Sequence, residues 1–157
     1  MNILTGIILV ASVILDQATK KWASDALKSG SIKVIGNFLR FTYAENKGAA
    51  FSILQNQRIF FIIITLIMMA VLAYIYFGSK TSRPSKISIV MIAGGAAGNF
   101  IDRVRLGYVV DFIDVRFGSF YNFPIFNIAD SFVVCGTILM IILIFINKFE
   151  KSETDGF

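Results

Sequence analysis

No histidine occurs in this 157-residue chain. That absence excludes a Ser-His-Asp triad, a Cys-His dyad and any zinc site built on histidine. The single cysteine, Cys135, has no partner for an internal disulfide and lies inside an apolar run, where it reads as a small packed residue. Acidic residues are few: seven Asp and three Glu, against fifteen Lys and Arg, leave a net charge of +5. The basic residues are scattered among apolar segments and form no stripe on one helix, so no nucleic-acid partner is expected. Repeats and low-complexity tracts are missing too. Any chemistry must come from carboxylates, Lys, Arg, hydroxyls and amides.

What the chain has in excess is apolar surface. Hydrophobic residues make up 56% of it and the mean hydropathy is +0.73, beyond the soluble range. Lipid is the expected solvent. Four apolar runs, residues 3–22, 59–77, 87–104 and 128–146, each approach the roughly 20 residues needed to cross about 30 Å of hydrocarbon. The first has no Lys or Arg before it and "DQATKK" after it, so it reads as a retained helix, not a cleaved signal. The second carries only Thr65 as a polar side chain. In the third, Gly94 and Gly98 form a small-xxx-small pair that lets another helix backbone come close.

Between the first two runs, "SIKVIGNFLRFTY" has β-branched and aromatic residues on both sides of Gly36-Asn37. This predicts a hairpin with a two-residue turn, with Phe38, Arg40 and Thr42 on one face and Leu39, Phe41 and Tyr43 on the other. The expected fold is an all-α polytopic membrane protein, one integral domain over residues 1–157. It has four spanning helices and a small β-rich insert at about residues 30–58, lying against the membrane surface. Residues 78–86 read as a short polar loop and 147–157 as a disordered charged tail.

Four spans put both termini on one side. The ends of spans one and three then share the other side with the starts of spans two and four. That topology gathers Asp16, Lys20, residues 46–51, Asn99, Asp102, Arg103, Asp111, Asn127 and Asp130 on one face, and leaves the opposite loop with simple charges. Lys80, Arg83 and Lys86 crowd the short loop, and Lys148 and Lys151 follow span four. Their density places that loop and both termini in the cytoplasm, with the polar cluster outside.

Helical spacing pairs Asp16 with Lys20, sets Asn99, Asp102 and Arg103 on one face, and does the same for Asn127 and Asp130. Such pairs neutralise buried charge, and a purely structural role stays open for Asp16 and Lys20. Asp111 and Asp130 differ, because neither has a cation at helical spacing. A carboxylate at the bilayer centre is disfavoured by about 2.5–3.5 kcal/mol, less toward an interface. Were the two to meet at the membrane face, one would keep a proton near neutral pH while the other stayed a base. Such a pair can activate water against a peptide carbonyl and protonate the leaving group.

The blocks "DQATK" at 16–20, "NKGAAFSIL" at 46–54, "GNFIDRV" at 98–104, "VVDFI" at 109–113 and "FNIAD" at 126–130 resemble, in order, those of bacterial lipoprotein signal peptidases (signal peptidase II), which are membrane aspartic peptidases. The resemblance covers nearly the whole chain. It implies that Asp111 and Asp130 are the catalytic pair. It also implies that Asp16, Lys20, Asn46, Gly48, Asn99, Asp102, Arg103, Asn127 and Ala129 shape the site or bind substrate. The substrate implied is a prolipoprotein whose cysteine carries a diacylglyceryl group, cut on the N-terminal side of that cysteine at the outer face of the bacterial cytoplasmic membrane. The resemblance further implies membrane lipid as a partner, globomycin as an inhibitor, and no metal or organic cofactor. The hairpin region corresponds to the family's extracytoplasmic β-cradle. Asn99 and Asn127 are expected to orient the carboxylates, and Arg103 to hold Asp16, Asp102 or a loop carbonyl. The rival readings are a transporter relaying protons through Asp130 or Asp16 and a scaffold whose polar pairs only fix packing. A presenilin-type protease is disfavoured, because Val110 precedes Asp111 where that signature has Gly.

Overall fold

The computed structural model of the chain describes residues 2–48, 54–78, 80–118 and 120–150. Four helices carry the apolar runs: α1 (Ile3–Ala26), α2 (Arg58–Gly78), α3 (Arg83–Arg105) and α4 (Ile128–Phe145). All four are long and apolar enough to cross a membrane. The side chain of Asn2 caps α1 by accepting from Leu4 N, and α1 continues to Ala26 because Lys20 and Ala23, past its most apolar stretch, are still buried. Ser82 caps α3, and Pro84 sits in its first turn, where a missing N–H costs no helical bond.

α3 is the least apolar of the four and the most enclosed, packing against each of the others. Its glycines explain how. A Cβ on Gly94 would collide with Ser12 of α1, one on Gly98 with the Asp16 carboxylate, and one on Gly95 with the Ala129 carbonyl of α4. Backbone approach of this kind replaces the hydrophobic effect, which cannot drive helices together in lipid. At the opposite end of the bundle, buried hydroxyls bond between helices and within α3. Thr5 and Tyr76 share a 2.7 Å hydrogen bond between α1 and α2, Ser88 donates to the Ser85 carbonyl (2.7 Å), and Ser82 to that of Lys148 (2.8 Å). That end therefore holds a buried polar seam in addition to the charges of the short loop.

The tail expectation also needs correction. Ser82 N donates to Phe149 O at 3.0 Å and Thr81 bridges Glu150, so residues 147–150 are tied to the α2–α3 connection. Residues 151–157 lie outside the described residues.

The sheet has four antiparallel strands in the order β1 (Ile32–Ile35), β2 (Leu39–Asn46), β3 (Val109–Phe117) and β4 (Tyr121–Asn122). Only two of them come from the insert after span one. The other two come from the connection between α3 and α4, which corrects the expectation of a sheet confined to residues 30–58. The reason is physical: a lone hairpin is marginal in water, and β3 gives β2 a second partner. The hairpin turn has three residues, not two, with Ile35 opposite Leu39, Gly36 at φ +47° and Phe38 N donating to Ile35 O at 2.9 Å.

Phe41 and Tyr43 pack with Val110 and Phe112 against Ala23 and Leu27 at the end of α1. Trp22 meets Phe41 and Phe112 edge-on at 5.4 and 6.1 Å. The sheet thus stands on α1, where the sequence suggested that it had only a membrane surface to lie on. A bulge in β2 between Phe41 and Ala44 then sets Ala44 opposite Asp111.

Candidate active site

Strand alternation sends Val110 and Phe112 into the core and turns Asp111 to the other face of β3. There Asn46, at the end of β2, donates from Nδ2 to Asp111 Oδ2 at 2.9 Å. Asp130 arrives from α4. Asn127 is the helix N-cap and Asp130 stands at the third helical position, so the two form a capping box: Asp130 N donates to Asn127 Oδ1 (2.9 Å) and Asn127 N to Asp130 Oδ2 (3.2 Å). The helix N-terminus favours the anion there.

Asn127 is the joint between the two acids. Its Nδ2 donates to Asp111 Oδ1 at 2.6 Å while its backbone N–H serves Asp130. Asn99 donates from Nδ2 to Asp130 Oδ1 at 2.8 Å. Each carboxylate therefore accepts two N–H donors. Burial, and after it the charge of neighbouring Asp130, pushes the Asp111 carboxyl up to about 7, against the lowering pull of Asn46, Asn127 and Lys20.

Beneath this pair lies a buried ion cluster. Lys20 Nζ contacts Asp16 at 2.9 Å and Asp102 at 3.0 Å, and donates to Asn99 Oδ1 at 2.8 Å. That last bond fixes which way the Asn99 amide faces, leaving its N–H₂ for Asp130. Asp102 Oδ2 accepts from Val110 N (3.1 Å), next to Asp111, and Asp16 Oδ1 accepts from Ala129 N (2.9 Å), next to Asp130. Asp16 and Asp102, neutralised by Lys20, thus hold the backbone on both sides of the acid pair at Ala129 and Val110.

A cleft of about 750 Å³ opens over the two acids. Asn46, Gly48, Asn99 and Arg103 line it with them, and Phe123, Ile125, Phe126, Val133 and Val134 give it an apolar wall. Of the three partners expected for Arg103, it takes the loop carbonyl: Nη2 donates to Gly48 O at 3.3 Å, and the guanidinium lies 4.8 Å from the Phe61 ring centre. Residues 49–53 of the second block lie outside the described residues.

Two features escaped sequence reasoning. Gln17 donates from Nε2 to Asp102 Oδ1 (2.9 Å), Asp16 Oδ2 (3.2 Å) and the Gly98 carbonyl (3.2 Å); an amide beside Asp16 on an apolar helix was the signal that could have found it. Cys135, read as a packed residue, is exposed and lines the cleft with Val134 and Ser131.

Comparison with known proteins meets this geometry. The family model described as signal peptidase (SPase) II matches residues 8–146. The chain belongs to the signal peptidase II family. It is 47% identical over 140 residues to the lipoprotein signal peptidase of Clostridium tetani (strain Massachusetts / E88), covering 88% of this chain and 90% of that one. Identity to the lipoprotein signal peptidase of Caldanaerobacter subterraneus subsp. tengcongensis is 49% over 138 residues, 86% and 92% of the two chains. A bacterial membrane enzyme solved by the in meso method at 2.3 Å superposes with a TM-score of 0.86 at 41% identity, over 96% of this chain and 92% of the other. Within the signal peptidase II family, then, this chain has the four helices and antiparallel sheet of a multi-pass membrane protein.

Proposed function

We propose that this signal peptidase II family member removes the signal peptide from diacylglyceryl-modified prolipoproteins, cutting on the N-terminal side of the lipidated cysteine with Asp111 and Asp130 as the catalytic dyad. The observation that carries the reading is Asn127, which donates to both carboxylates under a cleft that is polar at its base and apolar along one wall. The family membership supplies the substrate class.

In this reading the dyad shares one proton, held by Asp111, whose carboxyl is raised to about 7. Asp130, held by Asn99 and the Asn127 backbone, takes a proton from a water that attacks the carbonyl carbon preceding the cysteine. Asp111 gives its proton to the developing oxyanion. When the tetrahedral intermediate collapses, the C–N bond breaks, the proton on Asp130 passes to the leaving amine, and a hydroxyl proton of the intermediate returns to Asp111, which restores the dyad. Asn46 and Asn127 keep Asp111 aimed throughout. The diacylglyceryl group enters from lipid along the apolar wall, and the scissile bond comes to rest at the polar base. We place this cleft at the extracytoplasmic face and both termini in the cytoplasm, on the density of Lys80, Arg83, Lys86 and Lys148 at the opposite end. Globomycin is expected to compete for the same cleft.

The test is incubation of the purified protein with a diacylglyceryl-modified prolipoprotein and with its unmodified form. The reading expects cleavage of the modified form alone, blocked by globomycin. Equal cleavage of both, or of neither, would refute it.

A further inference from the structure

Residues 123–126 run beside β3 just before Asn127. Phe123 N donates to Val115 O at 2.9 Å, and Phe126 exchanges bonds with Ile113 in both directions, at 3.1 and 2.8 Å. Between these contacts the segment takes three steps while β3 takes two. The extra residue is a bulge at Pro124 and Ile125, a device that turns peptide groups out of a ladder and recurs beside active sites. Pro124 has no N–H. Ile125 has both groups, and neither finds a hydrogen-bond partner among the described residues, although Ile125 is only partly exposed. Peptide groups left without a protein partner in a partly exposed segment are open to pairing with a bound chain. Ile125 also lines the cleft, and two residues on stands Asn127, in contact with both acids.

We propose that the Ile125 main chain is a substrate-positioning group: its N–H and C=O pair with one residue of the substrate backbone and so set which peptide bond lies at the dyad. The inference rests on the peptidase reading above and deepens it. Two residues of extended chain span about 6–7 Å, the reach from a pairing point at Ile125 to the acids held by Asn127. Because Pro124 offers no donor, the edge supplies one N–H only, which defines a single register and blunts pairing with other chains. Recognition through peptide groups reads backbone and ignores side chains, the arrangement suited to substrates that differ in sequence but are all cut beside one residue.

The experiment is an amide-to-ester scan of a diacylglyceryl-modified prolipopeptide, one backbone position at a time on either side of the cleaved bond, with the full-length protein. The inference expects a roughly ten-fold loss of kcat/KM at one position, where the ester removes the N–H given to Ile125 O, a smaller loss of about three-fold at the following position, where the ester carbonyl is a weaker acceptor for Ile125 N–H, and under about two-fold elsewhere. In Ile125→Pro, which removes the N–H and keeps the C=O and an extended backbone, the loss at the following position should disappear while the roughly ten-fold loss persists, and in Ile125→Ala both should persist. A flat scan with the parent peptide still cut would overturn this inference and leave the peptidase reading standing. So would a loss at the following position that is unaltered in a folded Ile125→Pro. A parent peptide left intact would overturn both.

Discussion

Replacing Lys20 by Met tests the layer beneath the acids. Its ammonium is 3% exposed and lies between Asp16 and Asp102, at 2.9 and 3.0 Å, so the wild-type cluster has two carboxylates and one cation. Met keeps the volume and removes the charge, leaving two buried carboxylates whose donors among the described residues are Gln17, Val110 N and Ala129 N. Removing one partner of a buried pair costs about 3–5 kcal/mol, on the order of 10 °C in Tm for a chain of this length. A second substitution separates charge from packing. Adding Asp16→Asn to Lys20→Met removes one of the stranded anions, so the double variant should lose less than the sum of the singles, with a coupling of about 1–3 kcal/mol. Activity should report a separate effect. Without the Lys20 bond to its Oδ1, the Asn99 amide is free to turn, and kcat should fall with KM little changed. Thermal unfolding in detergent and initial-rate kinetics on the lipidated substrate supply both readouts. A Lys20→Met variant with wild-type Tm, or a double variant as damaged as the sum of the singles, would refute the reasoning.

The raised carboxyl of Asp111 predicts that activity falls as pH rises through about 7, because the shared proton is lost; a pH profile of kcat/KM checks this. Asn46→Ala removes a bond that favours the charged form of Asp111, so the alkaline limb of that profile should move to higher pH, and a downward move would contradict the assignment. Gly98→Ala places a methyl against the Asp16 carboxylate and Ala129, and should cost about 1–3 kcal/mol by forcing α1 and α4 away from α3, read as a lower Tm with parallel loss of activity.

Much of the bundle was legible because lipid imposes a simple rule on helices. Polar residues that broke the rule, Asp16, Lys20, Asn99, Asp102, Asn127 and Asp130, pointed to one end, and the structure brings them together there. In "FNIAD" the helical spacing of Asn127 and Asp130 was legible, while the capping box they form, with the N-cap amide and a carboxylate three residues on, came from the structure. The strand β3 was not legible. "VVDFIDVRF" has the alternation of a strand, yet its partner β2 lies more than sixty residues earlier, and only that pairing turns Asp111 toward Asn46. Gln17 was passed over for the same reason, as its three acceptors come from α1 and α3 together. Arg103 and residues 147–150 likewise take main-chain carbonyl and bridge partners, which leave no mark in a side-chain pattern.

The central claim is that Asp111 and Asp130 act as one dyad. Cleavage of the diacylglyceryl-modified prolipoprotein by Asp111→Asn and by Asp130→Asn, each purified at wild-type yield with its Tm recorded, tests it most directly. The account predicts that either substitution alone lowers kcat by at least about 10²–10⁴-fold while the protein stays folded. A folded single variant that cleaves at the wild-type rate would contradict it.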